Sequence, residues 1–497
     1  MSVWSPPSRR GGGARFSRKP ISRADQCEQR YGVRCVSSPA SSRTVMVEAS
    51  VVSNDWPDDT AAPRVARRRS PQSVLAAVDS AEAKRRTEIL RIANAVIASS
   101  GLRTSLRQIA DAAGILAGSL YHHFDSKDAL LIELLRRYHA DLDRVGEFAL
   151  GKLDEREPRP VGEQIVDLGR AIARTAVEHR AALQMSFYER LGSATELIEL
   201  TQRRPTSIQT AMESILRAGR WSGYLMQDID VPVVADRLCQ SMLHVGLEVI
   251  RHNADSDQVA GVLSSIMLHG LSTSQPGDAD LDRSSAFAVA DSVISTWADE
   301  GGPDAEDKVA HIRAVARTEF GRRGYELTTM RDIAASAGVG NSTVYRLLGS
   351  KEELLMSIMS AFGQKVGDGW TGALTSDSTA AEKLDAMSWL NINAVHQFPD
   401  EFRIQLAWMR HSPPDTANPG WSFTTRLQQM QEMLSAGVRS GELSIESPTS
   451  EMLARCVIEA HWMPENILRE IGPRRALILA RDTVLRGIVN RGASSTS

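Results

Sequence analysis

The sequence predicts an all-α protein built from two similar units in one chain, and three observations carry that expectation. The stretch TSLRQIADAAGILAGSLYHHFDSKDALL, residues 104–131, returns as TTMRDIAASAGVGNSTVYRLLGSKEELL, residues 328–355. Apolar residues around both stretches recur every three or four positions, the period of a helix with one buried face. With 497 residues, 42% of them hydrophobic and 24% charged, the chain is long enough for two to four packed domains. A repeat at fixed offset sets the architectural unit before any single element is assigned.

Residues 1–79 read as a disordered basic head and linker. The first 45 residues hold nine basic side chains (Arg9, Arg10, Arg15, Arg18, Lys19, Arg23, Arg30, Arg34, Arg43) against Asp25 and Glu28, while the whole chain carries −3. The head is rich in Ser, Gly, Pro and Arg without apolar periodicity, so it buries too little to offset the entropy of ordering. No apolar run follows Arg9-Arg10, which rejects a twin-arginine export signal. Met46 opens a more ordinary sequence and stands as an alternative start to Met1; a DNA-touching basic arm is the other reading of the head. Pro57, Pro63, Pro71 and the Arg67-Arg68-Arg69 run extend the linker.

The first unit, 80–273, opens with Ile89, Ile92, Ala93, Val96 and Ile97 on one helix face, and Gly101 stands where that helix should stop. A helix–turn–helix is expected at about 104–124. Thr104 caps a short helix with the stripe Leu106, Ile109, Ala110 and Ala113; Gly114 marks a sharp turn; a second short helix starts with small residues and carries Tyr121 near its end. Small residues there let a helix sink into a major groove about 12 Å wide. Ser126-Lys127-Asp128 caps the helix that follows. Beyond it, Gly162–Glu178, Ala181–Leu191 and Glu196–Ala218, broken near Pro205, read as helices, followed by the long pair Val231–Arg251 and Asp255–Leu271. Residues 274–304 form an acidic linker holding one amphipathic docking helix (Phe287, Val289, Val293, Ile294, Trp297). The second unit, 305–491, repeats the plan with Val309, Ile312, Val315, Ala316 and Phe320, then Gly324, Thr328, Gly338, Tyr345 and Ser350-Lys351-Glu352. Its helix–turn–helix falls at about 328–348, its terminal pair at Glu451–Ile467 and Arg474–Val489, and 492–497 is a tail.

The order of an amphipathic helix, I-A-x-x-A-G, small polar residues, Tyr, three variable residues, S-K-[DE] and an apolar helix resembles the DNA-binding domain of TetR-type transcriptional repressors. It occurs near 84–135 and again near 306–358. The first copy's GILAGSLYHHFDSK is similar to TetR-type repressors of steroid catabolism in actinobacteria. The resemblance implies a sequence-specific regulator on double-stranded operator DNA, a repressor released by an apolar or acyl small molecule. It places phosphate contacts at Thr104, Tyr121, His123 and Lys127, and at Thr328, Tyr345, Arg346 and Lys351. Base contacts fall to Ala117, Gly118 and Ser119, and to Asn341, Ser342 and Thr343, of which asparagine pairs bidentately with adenine. The first copy departs from the pattern by holding Leu116 and Ala117 where Ser and a basic residue are usual; the second has Leu347 and Leu348 in place of His123 and Phe124. The resemblance also makes the terminal helix pairs a dimerisation bundle, as an intramolecular pseudo-dimer or a homodimer, and puts a ligand cavity in the preceding helices. Its candidate linings are Met185, Phe187, Tyr188, Trp221 and Tyr224, and Trp389, Phe402, Trp408, Met409 and Trp421; each equally suits an ordinary core.

Other functions find little support. The chain lacks a phosphate-cradling glycine loop, G-x-S-x-G and H-E-x-x-H, and Gly11-Gly12-Gly13 follows no strand, so no enzyme is expected. Cys27, Cys35, Cys239 and Cys456 have no metal spacing, and His122-His123 lacks a third ligand, so neither cofactor nor metal is expected. No apolar run spans a membrane, which together with the scattered cysteines points to the cytoplasm. The alternative is a helical sensor or interaction protein with one or both reading heads non-functional.

Overall fold

The computed structural model describes residues 71–492 apart from 103, 158, 189–193, 253, 300–307, 326, 409–422, 446 and 448. The basic head, the choice between Met1 and Met46, the Arg67–Arg69 run and residues 493–497 therefore lie outside the described residues. Every regular element among those described is a helix, and both repeats belong to one compact unit.

Helix α1 (Pro71–Ser100) begins inside the stretch expected to be linker. A proline at the first helical position has its φ preset and no amide hydrogen to lose, and no glycine or proline interrupts before Gly101. The reading head follows with α2 (Leu106–Ala112) and α3 (Ala117–His123), then the long α4 (Lys127–Leu153). The body consists of α5 (Val161–Glu178), α6 (Arg180–Tyr188), α7 (Thr195–Gln202), α8 (Thr206–Trp221), α9 (Val231–His252) and α10 (Ser256–His269). Pro205 divides α7 from α8, as its missing N–H requires. α4 packs on α8 and α5, and α5 in turn packs on α9 and α10.

A short α11 (Asp278–Asp282) and α12 (Ser285–Asp299) join the halves. The second half runs α13 (Lys308–Arg323), α14 (Met330–Ser336), α15 (Asn341–Leu348), α16 (Lys351–Thr375), α17 (Ala380–Gln397), α18 (Pro399–Trp408), α19 (Phe423–Ser440), α20 (Ser450–Ala460) and α21 (Glu465–Ala480). α12 lies against α16 and α17, and thus against the second half rather than the first.

The terminal pair of the second half departs from its expected bounds. The helix expected over Glu451–Ile467 stops at Ala460, because Pro464 opens the next one. α21 bends where Gly472 adopts a positive φ before Pro473, and the chain then widens into a π-helical turn over Arg481–Arg486. Inside that turn Arg481 is fully buried and meets Asp385 of α17 through two bonds of 2.8 Å, Nε to Oδ1 and Nη2 to Oδ2. Two charges taken out of water together are tolerated only with such fork-on-carboxylate geometry.

The two halves meet along α9, α10, α20 and α21. At the centre Gly270 and Gly487, with φ of +74° and +75°, pass backbone to backbone. A Cβ on Gly487 would lie 2.2 Å from the carbonyl carbon of His269, and one on Gly270 would lie 2.4 Å from that of Arg486. The hydrogen bonds around them recur when the halves are exchanged. Leu271 N–H donates to the Val484 carbonyl (2.8 Å) as Ile488 N–H donates to Met267 (3.3 Å), and Met226 N–H donates to Ile488 (3.0 Å) as Ser444 N–H donates to Leu271 (3.0 Å). Farther out Arg237 donates to the Ala460 carbonyl at 2.8 Å, and burial pushes its guanidinium pKa down to about 10, so it is still charged at neutral pH. His244 stacks on Trp462 with ring centroids 4.2 Å apart.

Candidate nucleic-acid interface

Each reading head is a tight helix, turn and helix fixed by caps one residue later than the sequence pattern suggested. Ser105, not Thr104, caps α2: its hydroxyl accepts from Gln108 N–H at 3.2 Å, and the Gln108 side chain accepts from Ser105 N–H at 2.8 Å. Thr329, not Thr328, does the same for α14 with Asp332. Thr104 and Thr328 are instead buried, their hydroxyls donating to Gly101 and Gly324 carbonyls at 2.7 and 2.9 Å. Their hydroxyls fasten the loops before α2 and α14 and are turned into the fold, away from the surface where the phosphate contact was expected. Gly114 and Gly338 hold the turns at φ of +64° and +66° with open space around them. Gly338→Ala should therefore cost about 1–2 kcal/mol, the backbone penalty alone. Chemical denaturation measures it, and a loss above about 3 kcal/mol would mean an unseen steric neighbour.

The recognition helices present their remaining expected residues outward. In α3 Gly118 is exposed and Ala117 and Ser119 half-buried, while Tyr121 is 54% exposed; in α15 Asn341, Ser342 and Arg346 are exposed, Thr343 half-buried and Tyr345 50% exposed. Val344 and Leu120 anchor the opposite faces in the core. Leu116, the residue before α3 and already a departure from the family pattern, stands 79% exposed and adds an apolar group to that surface. Lys127 and Lys351 begin α4 and α16 and are engaged within the free protein. Lys127 Nζ donates to the Leu102 carbonyl, and Lys351 Nζ sits 4.1 Å from the Tyr325 ring centroid. His123 is half-buried, and its carbonyl accepts from Arg86, whose guanidinium also lies 4.3 Å from the Phe124 ring centroid. Arg86 thus holds the end of the recognition helix against α1, a positioning role with no local sequence signal. Glu319 does comparable work in the second head, accepting from Ser336 Oγ at 3.1 Å.

Each head is tied to its body through its first helix. Asn94 of α1 donates to the Glu178 carbonyl (2.8 Å) and accepts from Ala181 N–H (2.9 Å), clasping the α5–α6 junction. On the other side Arg317 of α13 reaches Glu401 of α18 at 3.2 Å.

Residues 89–134 and 312–358 each match the tetR family of bacterial regulatory proteins. A protein named HTH-type transcriptional repressor KstR2 from Rhodococcus jostii (strain RHA1) is 35% identical over 205 residues, covering 39% of this chain and 94% of that protein. The chain belongs to the tetR family. A KstR2 repressor of Mycolicibacterium smegmatis is 31% identical over 202 residues, covering 39% of this chain and 95% of its own. A solved structure described as the ketosteroid transcriptional regulator KstR2 of Mycobacterium tuberculosis shares 29% identity with a TM-score of 0.30, over 35% of this chain and 89% of that one. Such relatives have the length of one repeat, and this TetR-family DNA-binding regulator carries two heads.

The expected cavity residues scatter. A cleft of about 680 Å³ lies between the halves, lined by Met185 and Leu243 from one side and Phe402, Arg403, Trp462 and Arg469 from the other. Trp221 is not part of it: it is 91% exposed, two residues past Gly219, the last position of the buried stripe of α8, and so faces away. Trp389 does not line it either, because its Nε1–H donates to Asp291 of α12 at 3.0 Å and its ring stacks on Phe287. Tyr224 is half-buried in a separate groove beside Gly162. Met409, Trp421 and the side chains of Phe187, Tyr188 and Trp408 lie outside the described residues. Among the described residues no three His, Cys, Asp or Glu side chains are placed to hold a metal ion, and no helix is long and apolar enough to cross a membrane.

Proposed function

We propose that this chain is a ligand-gated repressor in which two TetR-like units, 80–273 and 305–491, form a pseudo-dimer within one polypeptide and read an operator of two unlike half-sites. The observation that carries this is the exchange-symmetric set of hydrogen bonds about Gly270 and Gly487. Contacts that recur under exchange of partners are what a two-fold dimer interface makes between separate chains. Here both partners are covalently one. On each half-site Tyr121 or Tyr345 would meet a phosphate, with Lys127 or Lys351 released from its internal contact beside a helix N-terminus. Ala117, Gly118, Ser119 and Leu116 would give the first head a largely apolar reading edge, suited to thymine methyl groups. Asn341, Ser342, Thr343 and Arg346 would give the second a hydrogen-bonding one.

The effector would enter the cleft between the halves. Met185 and Phe402 offer an apolar wall, and Arg403 and Arg469, which share Glu465 in the free protein, would turn to an acidic group of the ligand, which suits an acyl or sterol-derived acid or its thioester. Met185 sits on α6, whose start is clasped by Asn94 of the first head's α1. A ligand that moves α6 would therefore tilt the head, and it shifts DNA binding by its preference for the tilted state. Sedimentation of the complex tests the arrangement. One chain per asymmetric site supports it, whereas two chains on a perfect palindrome would replace it with a four-headed homodimer.

A further inference from the structure

The two halves differ most where α12 lies. On the second half α12 buries Ala286, Phe287, Ala290, Ile294 and Trp297 against α16 and α17. Its backbone comes close because α16 offers glycine there: a Cβ on Gly372 would stand 2.8 Å from Val289 Cγ1. Under α12 the α17 side chains Ala386, Leu390 and Ala394 are fully or almost fully buried.

The same groove exists on the first half, between α4 and α5, and no described helix fills it. By repeat position Phe148 takes the place of Gly372, Val145 that of Gly369, and Asp167, Ala171 and Thr175 those of Ala386, Leu390 and Ala394. All five of these residues line an open cleft of about 460 Å³, within the usual size of small-molecule sites. Phe148 is 67% exposed at its edge. Side chains at positions 145 and 148 occupy the space a helix backbone would need, so what fits is a molecule and not a second α12. The floor (Val145, Ala149, Leu168, Ala171, Ile215) is apolar. The rim is mixed in charge: Arg144 pairs with Asp141 and Arg159 with Asp167, and Glu155 and Glu178 also stand there. Lys152 stacks 4.7 Å over the Phe148 ring at the groove's edge and is the one rim cation that makes no ion pair among the described residues.

We infer that α12 plugs, in the second half, the groove that the first half leaves open between α4 and α5, so that only the first half can take a small molecule there, one with an apolar ring body and one anionic group. The chain then responds to that ligand through one half only. The anion meets Lys152, and the ring body takes the place that Phe287 and Ala290 hold on the other side. This site is separate from the cleft between the halves, with which it shares no lining residue.

The probe is 1-anilinonaphthalene-8-sulfonate, which has an aromatic body and one sulfonate, titrated into the full chain by fluorescence. Ala171→Trp, filling the groove from a half-exposed position, should weaken binding at least tenfold; Val145→Phe should do the same should the first variant lose melting temperature. Met185→Trp, in the other cleft, should leave this site intact. Phe287→Ala combined with Ile294→Ala should open the second groove and add a second site. Unchanged binding in both filling variants, or no added site on unplugging, overturns the inference. Self-association abolished by Ala171→Trp also overturns it, by making the groove a contact between copies. Operator gel-shift on the same preparations keeps this result apart from the regulator reading, because the filling variants should still bind DNA.

Discussion

Gly487→Ala is expected to lower unfolding free energy by about 2–5 kcal/mol, the sum of about 1–2 for the positive φ and about 1–3 for overpacking. Three backbone atoms stand within 2.5 Å of the added carbon: His269 C, Gly270 N and Leu268 O. Backbone cannot swing aside as a side-chain tip does, so the crossing of the two halves must open. Gly270→Ala should behave alike, since its nearest neighbours are Arg486 C, Leu485 O and Gly487 N. Gly338→Ala is the control, with a similar φ and no neighbour within 4 Å. Urea denaturation of the three variants measures the difference. Should Gly487→Ala cost no more than Gly338→Ala, the close approach is not what holds the halves together, and the pseudo-dimer loses its central support.

Asn341→Ala should relax base preference in one half-site only, by about 1–3 kcal/mol or roughly 5–150-fold in discrimination. Asn341 is the first residue of α15, exposed, and capped by no side chain at the preceding Gly340, so its amide is presented without a competing local bond in the helix start. The corresponding position of the first head is Ala117, which has no hydrogen-bonding group to lose. Affinity would be measured on operators carrying single base changes in each half-site in turn. Equal relaxation in both half-sites would mean that the same head reads both, which requires two chains per operator.

Much of each head was legible in the sequence because its determinants are local. The apolar period of Ile89 to Ile97, the glycines after the helices, the Ser-Lys-acid cap and the outward Tyr121 and Tyr345 all follow from spacing within about ten residues. Even there the cap positions slipped by one. Two adjacent hydroxyls, Thr104-Ser105 and Thr328-Thr329, satisfy the same cap rule, and only the fold shows which one is spent on the loop.

The sequence by itself determined that the chain is helical and that it carries two reading heads. Periodicity, caps and turn glycines act through near neighbours and leave their mark in order along the chain. Only the tertiary structure decided which apolar face meets which. It turned Trp221 to solvent, set Trp389 beneath α12, broke the last helices at Pro464 and Gly472, and brought Gly270 against Gly487. An amphipathic helix announces that one face must be covered, since apolar surface in water costs free energy wherever it lies. It does not announce its partner, because that free energy is non-directional, and the partner is chosen by shape among residues far along the chain, 98 positions for Trp389 and Asp291.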